Sequence, residues 1–167
     1  MSNQEELYQA LIGHKNTEFY MVYFQRAEER GYTPMSWNWP AFLAGQIWLI
    51  YRRNYLWAAR YFAITFLISI VSVSLFGGAG EESSRVVLFT SILLFQNVYF
   101  PLHANGIYYK WAKRELEKAK ALFPNQIEKQ KEHLSTKGGA NANVIFMVIS
   151  LFFILSSILN SMQAPQG

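Results

Sequence analysis

Three stretches without a single Asp, Glu, Lys or Arg interrupt this chain: Tyr61–Phe76, Val86–Ala104 and Val144–Leu159. Each approaches the length an α-helix needs to cross a hydrocarbon core about 30 Å thick. The positive charge around them falls on alternate sides. Six Lys/Arg residues precede the first stretch and only Arg85 follows it; eight lie between the second and third, and none follows the third. With the bias of Lys and Arg toward the cytoplasmic side, this predicts an all-α integral membrane protein with three transmembrane helices. Its N-terminus is expected in the cytoplasm and its C-terminus outside.

Composition narrows the chemistry. A chain of 167 residues supports one small bundle rather than two independent cores. With no cysteine it forms no disulfide, thiol nucleophile or thiolate metal site. The basic balance accompanies membrane stretches, so it reads as orientation and attraction to anionic lipid head groups, not as nucleic-acid binding. The start, Met1-Ser2-Asn3-Gln4-Glu5-Glu6, is acidic where a cleavable signal needs positive charge, so the first span is expected to direct its own insertion.

Residues 1–35 read as cytosolic or interfacial helices. Leu7, Leu11 and Ile12 share one helix face that ends near Gly13. A second helix from Asn16 or Thr17 carries the stripe Phe19, Tyr20, Tyr23, Phe24 and Ala27 and stops at Gly31. Its aromatic character fits either a bilayer surface or packing within a small domain.

Residues 36–122 hold a Trp-rich half-helix, a transmembrane hairpin and a cytosolic helical extension. Ala41–Tyr51 is apolar but only about 17 Å long as a helix, too short to cross. It is therefore expected to be re-entrant or interfacial, with Trp37, Asn38, Trp39, Trp48 and Tyr51 at head-group depth. Arg52 and Arg53 are expected to reach lipid phosphates there, with Trp48 one turn away to support the Arg52 guanidinium. Thr65, Ser69 and Ser72 give the first span a small, weakly polar face suited to helix contact. Gly77–Glu82 reads as the external turn. Gln96 and Asn97 sit mid-span in the second, where an unpaired amide costs several kcal/mol, so Asn97 is expected to meet a partner across a helix interface. Pro101 predicts a kink.

Residues 123–143 read as a short helix and a flexible link containing Gly138-Gly139. Residues 144–167 read as the third span, striped by Ser150 and Ser157, and an external tail. The three small or polar stripes predict spans packed against one another.

Catalytic groups are sparse. His14, His103 and His133 are scattered without metal-ligand spacing, and no span holds an Asp or Glu to carry a proton or cation. No cofactor is expected.

One box is more specific. Tyr20 and Phe24, then Ser36-Trp37-Asn38-Trp39-Pro40-Ala41-Phe42, then Ile47-Trp48-Leu49-Ile50-Tyr51-Arg52-Arg53, resemble a family of small bacterial membrane proteins known only as a domain of unknown function. Asn105 and Tyr108 match the family's Asn-x-x-Tyr element after the second span, and the resemblance runs from about Lys15 to Lys120. Arg53 stands where the family often has Lys, and Gln46 where Pro is common. The resemblance implies location and architecture and brings no reaction with it. Two functions fit: a non-enzymatic accessory subunit that meets a protein partner or a second copy through its helices, or a binder of lipid or a small anionic ligand at the cytoplasmic leaflet.

Overall fold

Ser2 opens the first helix with a reciprocal cap: its hydroxyl accepts the backbone N–H of Glu5, whose carboxylate accepts that of Ser2. In the structure, a computed structural model describing residues 2–76 and 81–163, nine α-helices and one π-helical turn follow, with no strand among those residues. They are α1 (Asn3–Ile12), α2 (Thr17–Arg30), α3 (Trp39–Ala44), α4 (Gln46–Tyr51), α5 (Tyr55–Phe76), α6 (Glu81–Leu94), the π turn (Phe95–Tyr99), α7 (Phe100–Leu122), α8 (Ile127–Lys137) and α9 (Asn143–Gln163). The turn expected at 77–80 and the tail at 164–167 lie outside the described residues; of that turn, Glu81 and Glu82 begin α6.

Two bodies result. The first is a cap in which α1, α2, α8 and most of α7 close on one another. Its interior takes Leu7, Leu11 and Ile12 from α1, Tyr20, Tyr23 and Phe24 from α2, Tyr108, Trp111 and Leu116 from α7, and Leu134 from α8. Tyr20, Tyr23, Phe24 and Ala27 of the α2 stripe thus pack inside a small domain, the second of the two placements its periodicity allowed, while Phe19 is exposed. Its rings meet largely edge to face, as in Tyr20–Tyr108 at 4.9 Å and Phe24–Tyr109 at 5.3 Å.

The second body is the hairpin of α5 and α6. Among the described residues two helices are long and apolar enough to cross a membrane, Tyr55–Phe76 and Arg85–Leu122. α5 alone rises about 33 Å. α9 carries the third apolar stretch; Val144 is buried at its start, while Phe146 and Met147 are exposed. Its first turns pack on α4, and Ser150 and Ser157 are exposed. Among the described residues, the Ser150 and Ser157 stripe is therefore not packed against the other helices.

Three local features depart from the sequence reading, each for a physical reason. The half-helix is two helices, because Gly45 takes φ 52°, a left-handed backbone that breaks the run after Ala44. Pro101 has no N–H for the helix ladder, and the five residues before Phe100 widen into the π turn, closed by the Phe100 N–H on the Phe95 carbonyl. The link at 135–143 is fastened rather than free. Gly139 N–H donates to the Leu11 carbonyl at 2.7 Å and Asn141 N–H to the Tyr51 carbonyl at 2.8 Å. Gly138 lies so close to α1 that a Cβ would stand 1.8 Å from the Leu11 oxygen. Here glycine permits contact.

Candidate functional site

The Trp-rich box is built onto the start of α7. Ser36 and Asn38 donate their backbone N–H groups to the carbonyls of Leu102 and Pro101, at 3.2 and 3.1 Å. Asn38 then caps α3, its side-chain oxygen accepting the Ala41 N–H at 2.8 Å, with Pro40 in the first turn where no N–H is needed. The Asn38 amide nitrogen donates to the Asn105 side-chain oxygen at 2.7 Å, and Asn105 donates onward to the Ser36 hydroxyl at 2.7 Å. Both amides are buried. A buried amide left unpaired costs about 1–3 kcal/mol, so this chain of bonds fixes the box against α7 and disfavours other registers.

Below it sits Arg52, 1% exposed. This corrects the expected contact with lipid phosphates. Its guanidinium lies 4.5 Å from the Tyr20 ring centre, 5.5 Å from Tyr108 and 5.7 Å from Tyr51, and one terminal nitrogen donates to the Lys15 carbonyl at 3.0 Å. The rings facing the cation are these tyrosines, while Trp48 turns to Phe100 and Tyr108. Among the described residues, Arg52 Nε, its other terminal nitrogen and the Tyr108 hydroxyl have no partner at full hydrogen-bond geometry, although Arg52 and Tyr108 lie side by side. The ring faces attract the cation in place of a carboxylate. Arg53 takes φ 57° and donates to the Thr136 carbonyl at 2.8 Å, tying the end of α4 to α8. Both arginines hold the cap together. Trp37 and Trp39 pack on each other and on Phe42, with Trp39 largely exposed.

An ionic knot closes the far side. Glu28 accepts from Tyr8 at 2.9 Å, Gln4 at 3.2 Å and Lys113 at 3.3 Å, joining α1, α2 and α7. Burial opposes the Glu28 charge, yet hydrogen bonds from Tyr109, Tyr8 and Lys113 prevail and hold its carboxyl below the ordinary value. Burial, then the hydrogen bond to Glu28 and its charge, pushes the Tyr8 phenol upward. On the surface of α7, Glu115 pairs with Lys118 at 2.7 Å, while Lys113 goes to Glu28.

The sequence reading missed a cleft. Where α3 and α4 break at Gly45, they stand off from α5 and the π turn and enclose about 540 Å³. Gln46, Thr65, Ser69, Gln96 and Asn97 line it together with apolar side chains. Thr65 and Ser69 donate to the Tyr61 and Thr65 carbonyls, each at 3.0 Å, and Asn97 to the Leu93 carbonyl at 3.0 Å. Asn97 is thus satisfied in part within its own helix, with no side-chain partner across a helix interface among the described residues. Gln46 and Gln96 make no side-chain hydrogen bond among the described residues. The signal was available as two amides beside a glycine and a proline, but neither spacing nor periodicity joins them. Ser72, on the same side as Thr65 and Ser69 by spacing, is buried.

No group of three or more His, Cys, Asp or Glu that could hold a metal occurs among the described residues. No curated protein and no solved structure matches the chain. The box, the Asn105–Tyr108 element and the helices that unite them fall inside residues 15–114, which match the family model described as Protein of unknown function (DUF2628), and the chain belongs to that family.

Proposed function

We propose that this chain is a non-enzymatic protein of the bacterial cytoplasmic membrane, an accessory subunit that binds another membrane component along its hairpin. α5, the α6–α7 rod and α9 act as three spans, with the cap in the cytoplasm and the C-terminal tail outside. One observation carries the reading: the apolar windows of α5 and of the α6–α7 rod are only 11% buried within the chain, beside a cap that is closed. Such helices suit a hydrocarbon solvent, in which neighbouring spans associate through close packing and polar contacts.

A photocrosslinking residue at Leu67 or Val73, both exposed on α5, tests this in native membranes. A discrete adduct with one protein, or with a second copy, is the expected result. Adducts with lipid alone at every position would overturn the accessory role. A reporter after Gly167 reading external, and one at exposed Asn125 reading cytoplasmic, is the expected topology; the reverse pair overturns it. A second reading, lipid handling at the cytoplasmic leaflet, draws its support from the cleft at Gly45.

A further inference from the structure

We infer that the cleft between the α3–α4 break and the hairpin binds an uncharged lipid whose head carries carbonyl or hydroxyl oxygens. This deepens the lipid-handling reading and rests on it. Size comes first: about 540 Å³ falls within the range of small-ligand pockets, about 300–1,000 Å³. The polar inventory decides the chemistry. Gln46 and Gln96 each offer a whole unpaired amide, two donors and an acceptor, while Asn97 keeps its oxygen and one N–H. Thr65 and Ser69 have given their protons to helix carbonyls and retain only acceptor lone pairs. The lining therefore supplies both donors and acceptors, concentrated on the half-helix tip and the π turn.

Charge is what the site lacks. None of its lining residues is Lys, Arg, His, Asp or Glu. A phosphate head would enter without a cation to meet it, since Arg52 is buried against Lys15 and the tyrosines. Desolvating an anion without a counter-charge is far more costly than desolvating a carbonyl or hydroxyl. An uncharged head instead meets Gln46 and Gln96, whose amides otherwise remain unpaired beside apolar side chains. The tail has a path as well: Phe62 and Phe66, which border the cleft, are each 64% exposed along α5.

The test uses the full chain in vesicles of phosphatidylethanolamine and phosphatidylglycerol. Two probes carry the same diazirine acyl chain, one a diacylglycerol and the other a phosphatidylglycerol. The diacylglycerol probe is expected to label peptides containing Phe42–Ile47 and Phe62–Ser69. Labelling there should fall about tenfold in Q46L/Q96L, the effect of losing two hydrogen bonds. Unlabelled dioleoylglycerol, a long-chain prenol and a prenylated quinone then compete separately, which distinguishes acyl from prenyl sources. Equal labelling of the cleft by both probes, insensitivity to every competitor, or unchanged labelling in Q46L/Q96L overturns the inference. Retained cap tryptophan fluorescence shows that the variant folds. Labelling of α5 outside the cleft by either probe reports membrane insertion itself; its absence would sink the underlying membrane reading, whatever happens in the cleft.

Discussion

Cap and hairpin use apolar residues in opposite ways. In the cap, Leu11, Ile12 and Tyr108 are completely buried, whereas on the hairpin Phe62 and Phe66 stand 64% exposed. In water each buried side chain of that size contributes about 1.5–3 kcal/mol, so the cap owes its shape to packing. A helix immersed in hydrocarbon gains nothing comparable by hiding its leucines, and polar or small groups decide where it makes contact. The cap should therefore respond to changes of a single atom, and the hairpin to changes of polarity.

The hardest blow to the cap is Gly138→Ala. Its φ of −99° suits any residue, so the cost is steric alone: a Cβ 1.8 Å from the Leu11 oxygen. A loss of about 3 kcal/mol is expected in denaturant unfolding followed by tryptophan fluorescence, at the upper end of overpacking effects. Unchanged stability would mean that α8 does not close on α1 as described. Next comes Arg52→Lys. A single ammonium cannot face three tyrosines and reach the Lys15 carbonyl in the same geometry, so about 1.5 kcal/mol should be lost, with co-purifying anionic lipid unchanged. Loss of that lipid at constant stability would restore Arg52 to the head-group region.

The hairpin supplies the contrast. Asn97→Leu removes a bond to Asn97's own helix, and the expected change is at most about 0.6 kcal/mol, read as melting temperature in detergent. A loss of about 2 kcal/mol would reveal a partner that Asn97 meets outside this chain. The smallest effect concerns acid. Because Glu28 is held below its ordinary value of 4.5, its contribution is fully present above that pH and is lost as pH falls through the depressed value. The carboxylate is largely solvated, so screening reduces the effect to a few tenths of a kcal/mol. In E28Q the acid limb of the stability curve should flatten by that amount; an identical limb would show that Glu28 carries no linkage.

What could be read from residues alone follows the same division. Leu7, Leu11, Ile12, Tyr20, Tyr23, Phe24 and Ala27 are buried as their helical spacing requires, because water enforces that period. Asn38 and Asn105 were both marked through family resemblance, yet nothing in the sequence says that they touch across 67 positions. Arg52 was misplaced because a charge after an apolar run looks like an anchor, and the two tyrosines nearest its guanidinium come from α2 and α7. Gly138-Gly139 was misplaced because glycine signals freedom and close approach with the same letter. The cleft went unseen since it belongs to no single element: Gln46 is on α4, Gln96 on the π turn and Ser69 on α5.

The fastening of Gly139 to Leu11 and of Asn141 to Tyr51 bears on how such a protein is made. The cap draws its pieces from both sides of the hairpin, with α1 and α2 before it and α7 and α8 after. During synthesis the first two helices therefore emerge with Tyr20, Phe24 and Leu11 uncovered, and they wait until about 140 residues have been translated. At about 5–20 residues per second, that leaves an interval of several seconds in which the hairpin is complete before the cap can shut. The hairpin is made before the cap closes, and a ribosome-bound chain stalled before α8 should present its aromatic face to whatever chaperone attends it.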